Sequence, residues 1–301
     1  MPEHYDVTIV GGSFAGLSAA MQLARARRRV QVIDAGLPRN RFASHSHGFF
    51  GLDGVSPAQI TATVTDQLLK YPSVTIVKGE ARRASGELGS FHIELADGSR
   101  SRASRLVLAT GVRDKLPSVQ GLAERWGASV LHCPYCHGYE VGDLRLGVLA
   151  THAHSIHQAL LIPDWGPTTW FSQGIVEPTA DEATQLLARG VSIERTPVAA
   201  LLGDAPALDA VRLTDGRVVP IDALFVGPKT EMVSDLAEQL GCAIDEGPLG
   251  PVIRVGDWKE TSVPGVYAAG DASSVMTNAT FASAAGVAAG VGAHRSLIFP
   301  A

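Results

Sequence analysis

The sequence has few cysteines, no long apolar run and no excess of positive charge. Only three of the 301 residues are cysteines, whereas a disulfide-stapled secreted domain has more of them, in even number. No run of 18 apolar residues occurs, so no membrane-spanning helix is predicted. The net charge is −5 and the signs are mixed along the chain, which argues against nucleic acid or an anionic membrane as a partner.

An export signal is also missing from the pattern at the start of the chain. Residues 1–10 lead directly into a strand pattern and contain no apolar segment with a cleavage site. We therefore expect a cytoplasmic location. Apolar residues make up 46% of the chain and charged residues 18%, a globular composition, and the length is sufficient for two domains.

Strand and helix patterns alternate along the chain, which predicts an α/β fold. An apolar strand, Tyr5–Val10, precedes a helix predicted over Phe14–Arg28, and a second strand follows at Val30–Asp34. A Pro- and Gly-containing stretch, residues 114–121, has the composition of a hinge. Beyond it the strand–helix–strand pattern starts again at Leu146–Ala150, so two domains of similar fold are predicted.

A glycine-rich turn joins the first strand to the first helix. This dinucleotide fingerprint consists of Gly11, Gly12, Ser13, Phe14, Ala15 and Gly16. Gly11 permits a tight turn, Gly16 permits close helix–strand packing, and the helix N-terminus offers free amides to a pyrophosphate. Asp34, at the end of the next strand, is expected to bind a ribose. Ser13 replaces the usual middle glycine, and a glycine turn without any ligand is the alternative interpretation.

Two later strands end in motifs of the same kind, Thr110-Gly111 and Gly270-Asp271. With the fingerprint they resemble the FAD-binding elements of the two-dinucleotide-domain flavoproteins. The resemblance implies that Asp271 holds the ribityl chain, and that the following helix points its N-terminus at the pyrimidine edge of the flavin. The other residues that the resemblance places at the cofactor are Ala35, Asn40, His45, His47, Ala81, Asn278, Ala279 and Thr280.

The most informative segment contains Cys133 and Cys136 with His137 directly after them. A Cys-x-x-Cys allows two thiols to close a small ring, which favours redox chemistry. Three alternatives remain open. Structural zinc would use these three residues and His132, c-type haem would use the Cys-x-x-Cys-His pattern, and the thiols could be inert and buried.

Over nearly its whole length the chain resembles the low-molecular-weight thioredoxin reductases. The support comes from the fingerprint, Thr110-Gly111, the hinge before the Cys-x-x-Cys and the run Thr261–Asp271. The resemblance implies two Rossmann-like domains, the second inserted in the first. The FAD-binding domain is then residues 1–115 and 230–301, and the inserted domain is residues 116–229. It also implies a homodimer.

The resemblance further assigns roles to the cysteines, with Cys136 facing the flavin and Cys133 attacking the substrate disulfide. The family usually has an acid where His137 stands, and we expect His137 to exchange protons with the thiol pair. The Cys-x-x-Cys-His-Gly-[Tyr/Phe]-Glu variant is similar to that of gliotoxin- and holomycin-type dithiol oxidases. His45 and His47 belong to a loop that in the family passes near the flavin, although they could be surface residues.

The second glycine fingerprint of the family is degenerate. Thr151 and His152 stand where backbone should approach a pyrophosphate, and residues 170–174 offer no arginine for a 2′-phosphate. We therefore do not expect NADPH to be the electron donor, and ferredoxin or a second flavin would take that role. Trp165 is expected to serve packing and Cys242 to be a small buried hydrophobe.

Three functions follow from these patterns. The first is FAD-dependent reduction of a disulfide, in a thioredoxin-like protein or a small molecule, through Cys133 and Cys136. The second is oxidation of a small dithiol with oxygen as the acceptor. The third is a redox sensor that binds flavin without turnover. No metal site is predicted.

Overall fold

The computed structural model of this chain describes residues 4–299. Its strands are, in chain order, β1 (His4–Val10), β2 (Val30–Asp34), β3 (Val74–Lys78), β4 (Ala81–Glu87), β5 (Ser90–Leu95), β6 (Arg100–Leu108), β7 (Val112–Lys115), β8 (Val130–Leu131), β9 (Leu146–Leu149), β10 (Thr168–Phe171), β11 (Ser192–Glu194), β12 (Val198–Leu202), β13 (Ala210–Leu213), β14 (Val218–Pro220), β15 (Ala223–Val226), β16 (Lys229–Met232), β17 (Ile244–Glu246), β18 (Pro251–Ile253) and β19 (Val266–Ala268).

The α-helices are α1 (Phe14–Arg25), α2 (Pro57–Leu68), α3 (Pro134–His137), α4 (Ser155–Leu161), α5 (Ala180–Ala188), α6 (Leu236–Gln239) and α7 (Ala279–Ile298). Two compact units contain these elements. The first unit comprises residues 4–41, 57–113 and 230–299, and the second comprises residues 42–56 and 114–229. Residues 42–56 are thus grouped with the second unit, although the sequence pattern assigns them to the first part of the FAD-binding domain.

A parallel sheet with the order β3-β2-β1-β6-β19 forms the centre of the first unit. β4 and β5 extend the start of β6 as an antiparallel arm. Val7, Ile9, Val30 and Val32 are completely buried, as expected for parallel strands covered on both faces. Because these strands are parallel, the loops after β1, β2, β6 and β19 lie along the same edge of the sheet.

The second unit has its own parallel sheet, with the order β11-β10-β9-β15-β8. The side chains of Trp170, Phe171 and Phe225 fill its core and are fully buried. β12, β13 and β14 form a separate antiparallel sheet, and the turn between β13 and β14 contains Asp215 and Gly216. Two-stranded sheets of β7 with β16 and of β17 with β18 complete the strand pairing.

The first helix ends earlier than the sequence pattern predicts, at Arg25 instead of Arg28. Arg27 adopts φ 60°, and the amide of Arg28 donates to the carbonyl of Leu23 over 3.0 Å. This is the hydrogen-bond pattern of a Schellman cap, here with arginine at the position that usually carries glycine. The cap reverses the chain toward β2, which begins at Val30 after only four connecting residues.

Candidate active site

The dinucleotide fingerprint depends on two glycines that no other residue could replace without a collision. Gly11 has φ 112°, and a Cβ there would lie 2.1 Å from the carbonyl oxygen of Ala109. A Cβ on Gly16 would lie 1.8 Å from the carbonyl oxygen of Gly11. The first turn of α1 is therefore pressed against the end of β1, and the glycine turn passes directly over the end of β6.

Asp34 is fixed by backbone amides at the end of β2. The amide of Gly12 donates to its Oδ1 over 3.2 Å, and the amide of Gly36 donates to the same oxygen over 3.1 Å. A Cβ on Gly12 would lie 2.5 Å from the Asp34 Cγ, so only glycine permits this approach. The carboxylate is thereby held next to the glycine turn, where a ribose hydroxyl would need an acceptor, and Ala35 follows it in the same loop.

The N-terminus of α1 has the features of an anion-binding position. Ser13 is the extended N-cap residue and makes no capping hydrogen bond with its side chain. The first turn, all of it within the described residues, contains no acidic side chain, and Phe14 and Ala15 are buried there. The amides of this turn therefore offer hydrogen bonds and a favourable dipole to a pyrophosphate.

The strand ends that carry Thr110-Gly111 and Gly270-Asp271 are neighbours, because β6 and β19 pair up to Leu108 and Ala268. Gly270 has φ 73°, and a Cβ there would lie 2.9 Å from the Ala15 Cβ. The structure therefore brings the glycine turn, the end of β6 and the end of β19 together at one edge of the sheet. This narrow backbone cradle fits a dinucleotide such as FAD.

Asp271 forms an ion pair that the sequence did not predict. The Arg39 Nη1 donates to the Asp271 Oδ2 over 2.8 Å, and the two side chains are only 18% and 19% exposed. Arg39 and Asn40 belong to a short 3-10 helix, Arg39–Phe42, in the loop after β2. Two cradle loops are thus joined by a charge-assisted hydrogen bond, and Arg39 is an additional candidate for contact with an anionic cofactor.

Asn278 caps the long helix α7, because its Oδ1 accepts a hydrogen bond from the amide of Phe281 over 2.7 Å. α7 packs closely on α1, since a Cβ on Gly286 would lie 2.0 Å from the carbonyl oxygen of Ala15. This contact places the first turn of α7, with Ala279 and Thr280, beside the cradle. Ala81 starts β4 elsewhere on the same sheet.

In the second unit, Cys133 and Cys136 form a disulfide with their Cα atoms 5.3 Å apart. Cys133 is the N-cap residue of α3, and Pro134 occupies the first turn. Both cysteines are partly exposed. Within residues 4–299 no group of three or more histidine, cysteine or acidic side chains is arranged to hold a metal ion. The thiols that the zinc alternative would use are bonded to each other.

Residues 133–138, the redox loop, pack against Trp165, which directly follows the 3-10 helix Ile162–Asp164. A Cβ on Gly138 would approach the Trp165 Nε1 to 2.7 Å, so glycine is required after His137. The ring of Tyr135, between the cysteines, packs edge-on against the ring of Trp165, with 5.7 Å between the centroids. The expectation that Trp165 serves packing did not foresee that the surface it supports is the redox loop.

His137 ends α3 and is partly buried. Burial lowers the pKa of His137, the charge of Glu140 opposes this by raising it, and the nearby His47 and His132 lower it further. A neutral imidazole is therefore favoured one residue after Cys136. Such a group can accept a thiol proton near neutral pH.

His45 and His47 lie in the segment of residues 42–56, where Ser46 and Val55 form an antiparallel bridge. Their ring centroids are 6.2 Å apart. His47 Nε2 is 3.3 Å from Glu140 Oε1, so this segment contacts the end of the redox motif. Sequence reasoning selected these histidines for a flavin contact and overlooked Glu140 as their partner.

The loop after β9 turns its side chains onto the end of β15. Thr151 Oγ1 donates to the Gly227 carbonyl over 2.6 Å, and His152 Nε2 lies 2.8 Å from the same oxygen. Gln158 Nε2 donates to the His132 carbonyl over 2.8 Å. Side chains of this loop and of α4 therefore contact the ends of β15 and β8 at the carboxyl edge of the sheet, where α/β folds bind nucleotides.

Comparison with known proteins agrees with this geometry. The family model described as pyridine nucleotide-disulphide oxidoreductase matches residues 5–154 and 173–286. The chain is 32% identical to thioredoxin reductase sirT of Leptosphaeria maculans and 33% identical to thioredoxin reductase tcpT of Claviceps purpurea. Both alignments cover 97% of this chain and 94% of the relative.

Two solved structures are also close. An oxidoreductase from Agrobacterium tumefaciens is 47% identical, with a TM-score of 0.95 and complete coverage of both chains. HlmI is 36% identical, with a TM-score of 0.90 and coverage of 97% of this chain and 92% of the other. None of the helices found among residues 4–299 is long and apolar enough to cross a membrane.

These similarities confirm the predicted resemblance and the predicted α/β class with two Rossmann-like domains. The family implies FAD, and the glycine cradle of the first unit fits that cofactor. The chain belongs to the pyridine nucleotide-disulphide oxidoreductase family and is a thioredoxin reductase-like enzyme within it.

Proposed function

We propose that this enzyme is an FAD-dependent thiol–disulfide oxidoreductase that exchanges electrons with its substrate through Cys133 and Cys136. The observation that carries the proposal is the disulfide between them, with an imidazole of lowered pKa one residue away at His137. Reduction of this disulfide takes up two electrons and two protons and gives two thiols. His137 moves protons between solvent and the cysteine sulfurs during that change.

FAD is held in this proposal by the cradle of the first unit. The amides of Gly12 to Ala15 bind the pyrophosphate, Asp34 binds the adenosine ribose, and Asp271 with Arg39 holds the ribityl side. When bound, FAD supplies a two-electron acceptor and donor for the cysteine pair. The cysteine roles follow the family resemblance, with Cys136 facing the flavin and Cys133 meeting the substrate.

A donor other than NADPH is part of the proposal. Thr151 and His152 fill the crevice that a pyrophosphate would need, through their contacts with the Gly227 carbonyl. Arg195, the arginine directly after β11, is also not free to bind a 2′-phosphate, because it forms an ion pair with Glu177 over 2.7 Å. Electrons would then come from a ferredoxin-like protein, from a second flavin or from a dithiol.

The electron acceptor in the leading version is the disulfide of a thioredoxin-like protein or a small molecule. The names of the sirT and tcpT relatives support a thioredoxin-type substrate. The family also supports a homodimer as the working form. A protein disulfide reduced at Cys133 would regenerate the Cys133–Cys136 disulfide and leave two thiols on the partner.

The alternative function reverses the electron flow. A small dithiol reduces the enzyme disulfide, and oxygen takes up the two electrons and two protons to give hydrogen peroxide. The filled crevice after β9 favours this version, because a dithiol that serves as both substrate and donor makes a nicotinamide site unnecessary. A flavin-binding redox sensor is the third candidate and differs from both in having no turnover.

Steady-state turnover decides among these functions. Purified holoenzyme is mixed with a thioredoxin disulfide and reduced ferredoxin in one assay, and with a small dithiol and oxygen in another. Turnover in the first assay supports the reductase, and peroxide formation with turnover in the second supports the oxidase. Absence of turnover with every dithiol and disulfide, in a protein that binds FAD, would leave the sensor. A protein that cannot be reconstituted with FAD would refute all three.

A further inference from the structure

Glu140 connects two parts of the second unit that are distant in sequence. It lies in a short 3-10 helix, Tyr139–Val141, directly after the redox helix. Its Oε1 is 3.3 Å from His47 Nε2, and His47 Nδ1 is 3.5 Å from Asp53 Oδ1. The amide of Gly48 donates to the same Asp53 oxygen over 2.9 Å. His47 is thus held between two carboxylates.

The contact of His47 with Glu140 is the better shielded of the two. The His47 side chain is 22% exposed and that of Glu140 is 41% exposed, whereas that of Asp53 is 72% exposed. Solvent and salt therefore screen the Glu140 contact less. Each ring nitrogen of His47 thus faces one carboxylate oxygen, Nε2 that of Glu140 and Nδ1 that of Asp53.

The same carboxylate acts on His137. Its charge raises the pKa of His137 against the lowering caused by burial, by His47 and by His132. The titratable or charged groups that face the two imidazoles are Glu140, Asp53, His45 and His132. Of these, Glu140 is the carboxylate that acts on both His47 and His137.

Building on the proposed thiol–disulfide exchange, we propose that Glu140 is a positioning residue of the redox site. Its carboxylate holds His47, and with it residues 42–56, against the end of the redox motif. It also places a negative charge near His137, the group that exchanges protons with the cysteines.

A proton is needed when the enzyme disulfide opens. A substrate thiolate attacks the Cys133 Sγ, a new S–S bond forms, and Cys136 leaves as a thiolate with the bonding electron pair. The second substrate thiol gives its proton to His137, and His137 passes a proton to the Cys136 thiolate. The second substrate thiolate then attacks the substrate sulfur that is bonded to Cys133 and releases Cys133 as a thiolate. The first substrate thiol lost its proton to solvent when it ionised, and Cys133 takes one from solvent in return. Overall, the substrate loses two electrons and two protons, and the cysteines gain two of each.

The test compares Glu140→Gln with the matched control Glu124→Gln, which removes the same charge from an exposed position of the second unit. Oxidised holoenzyme is mixed anaerobically with dithiothreitol, and the rate of flavin bleaching is followed against pH. Because Glu140 raises the pKa of His137, E140Q moves the histidine-dependent midpoint to lower pH. E124Q keeps the wild-type midpoint, and E140D restores part of the difference.

A second measurement does not depend on turnover. The proteins are reduced with a phosphine, and the rate of cysteine alkylation by iodoacetamide is recorded against pH for wild type, E140Q and E124Q. A midpoint of E140Q equal to that of wild type would overturn the role of Glu140. If E140Q shifts the alkylation midpoint while wild-type enzyme shows no exchange with any dithiol or disulfide, the inference stands and the proposed function fails.

Discussion

The Nε2 atom of His152 lies 2.8 Å from the carbonyl oxygen of Gly227, so the loop after β9 closes onto the end of the adjacent strand β15. Thr151 donates to the same oxygen over 2.6 Å. In a nucleotide-binding crevice this space belongs to the phosphates and to the backbone amides that hold them. In the second unit the parallel sheet is present, and the side chains of Thr151 and His152 connect the ends of β9 and β15.

We therefore expect excess NADPH or NADH to leave the enzyme flavin oxidised under anaerobic conditions. A missing charge-assisted contact to phosphate is worth about 1.5–3 kcal/mol, or about ten- to more than a hundredfold in affinity. The obstructed loop weakens binding further. The measurement is flavin absorbance after mixing, with dithionite as the positive control for bleaching. Rapid bleaching at micromolar NADPH would contradict this interpretation of the crevice.

Replacing each cysteine separately tests the assignment of their roles. With Cys133→Ser, the remaining Cys136 thiolate should lie beside the flavin and produce a long-wavelength charge-transfer band. With Cys136→Ser, no such band is expected. Absorbance spectra of both variants, recorded with rising pH to ionise the lone thiol, provide the measurement. A band in C136S and none in C133S would exchange the two roles.

His137→Ala should lower turnover about a hundredfold or more, because a positioned proton carrier contributes at least that much. Burial lowers the pKa of His137 below the ordinary value of 6.5. Its neutral form, which accepts the thiol proton, thus persists to lower pH than in a free histidine, and the acidic limb of the rate profile should lie below pH 6.5. His157→Ala, at an exposed position of α4, is the control. Wild-type rates in H137A at every pH would refute the role.

Gly16→Ala should abolish stable FAD binding, because the added Cβ would lie 1.8 Å from the Gly11 carbonyl oxygen. The backbone of α1 must then move away from the end of β1, which opens the cradle. Gly256→Ala, in the same unit, is the matched control, since its Cβ meets no atom within 4 Å. The ratio of flavin to protein absorbance after gel filtration measures retention. Equal ratios in the two variants would show that the cradle does not hold FAD.

The parts of this fold that follow from local patterns were predictable from the sequence. Apolar runs identify β1 and β2, and small residues between them identify the turn at Gly11 and Gly16, because these signals depend on neighbouring residues only. The redox pair was recognisable for the same reason, since its spacing is contained in four residues. The early end of α1 was not, because Arg27 adopts a backbone conformation that usually marks glycine.

The contacts that complete the sites were not predictable, because they join residues far apart in the chain. Arg39 and Asp271 are separated by 232 positions and meet only when β2 and β19 enter one sheet. His47 and Glu140 meet because residues 42–56 pack with the second unit. A single sequence carries no signal for such pairs, and each residue taken alone has the ordinary appearance of a surface charge.

Because α7 packs on α1, the first unit can be complete only after α7 has been synthesised. The ribosome delivers the fingerprint turn before most of the chain described here, and it delivers the helix that packs on α1, Ala279–Ile298, more than 250 residues later. All of the second unit leaves the ribosome in between. We expect nascent chains stalled before Asn278 to retain no FAD, so that flavin loading is confined to chains that include α7, and shorter ones carry redox cysteines without a cofactor.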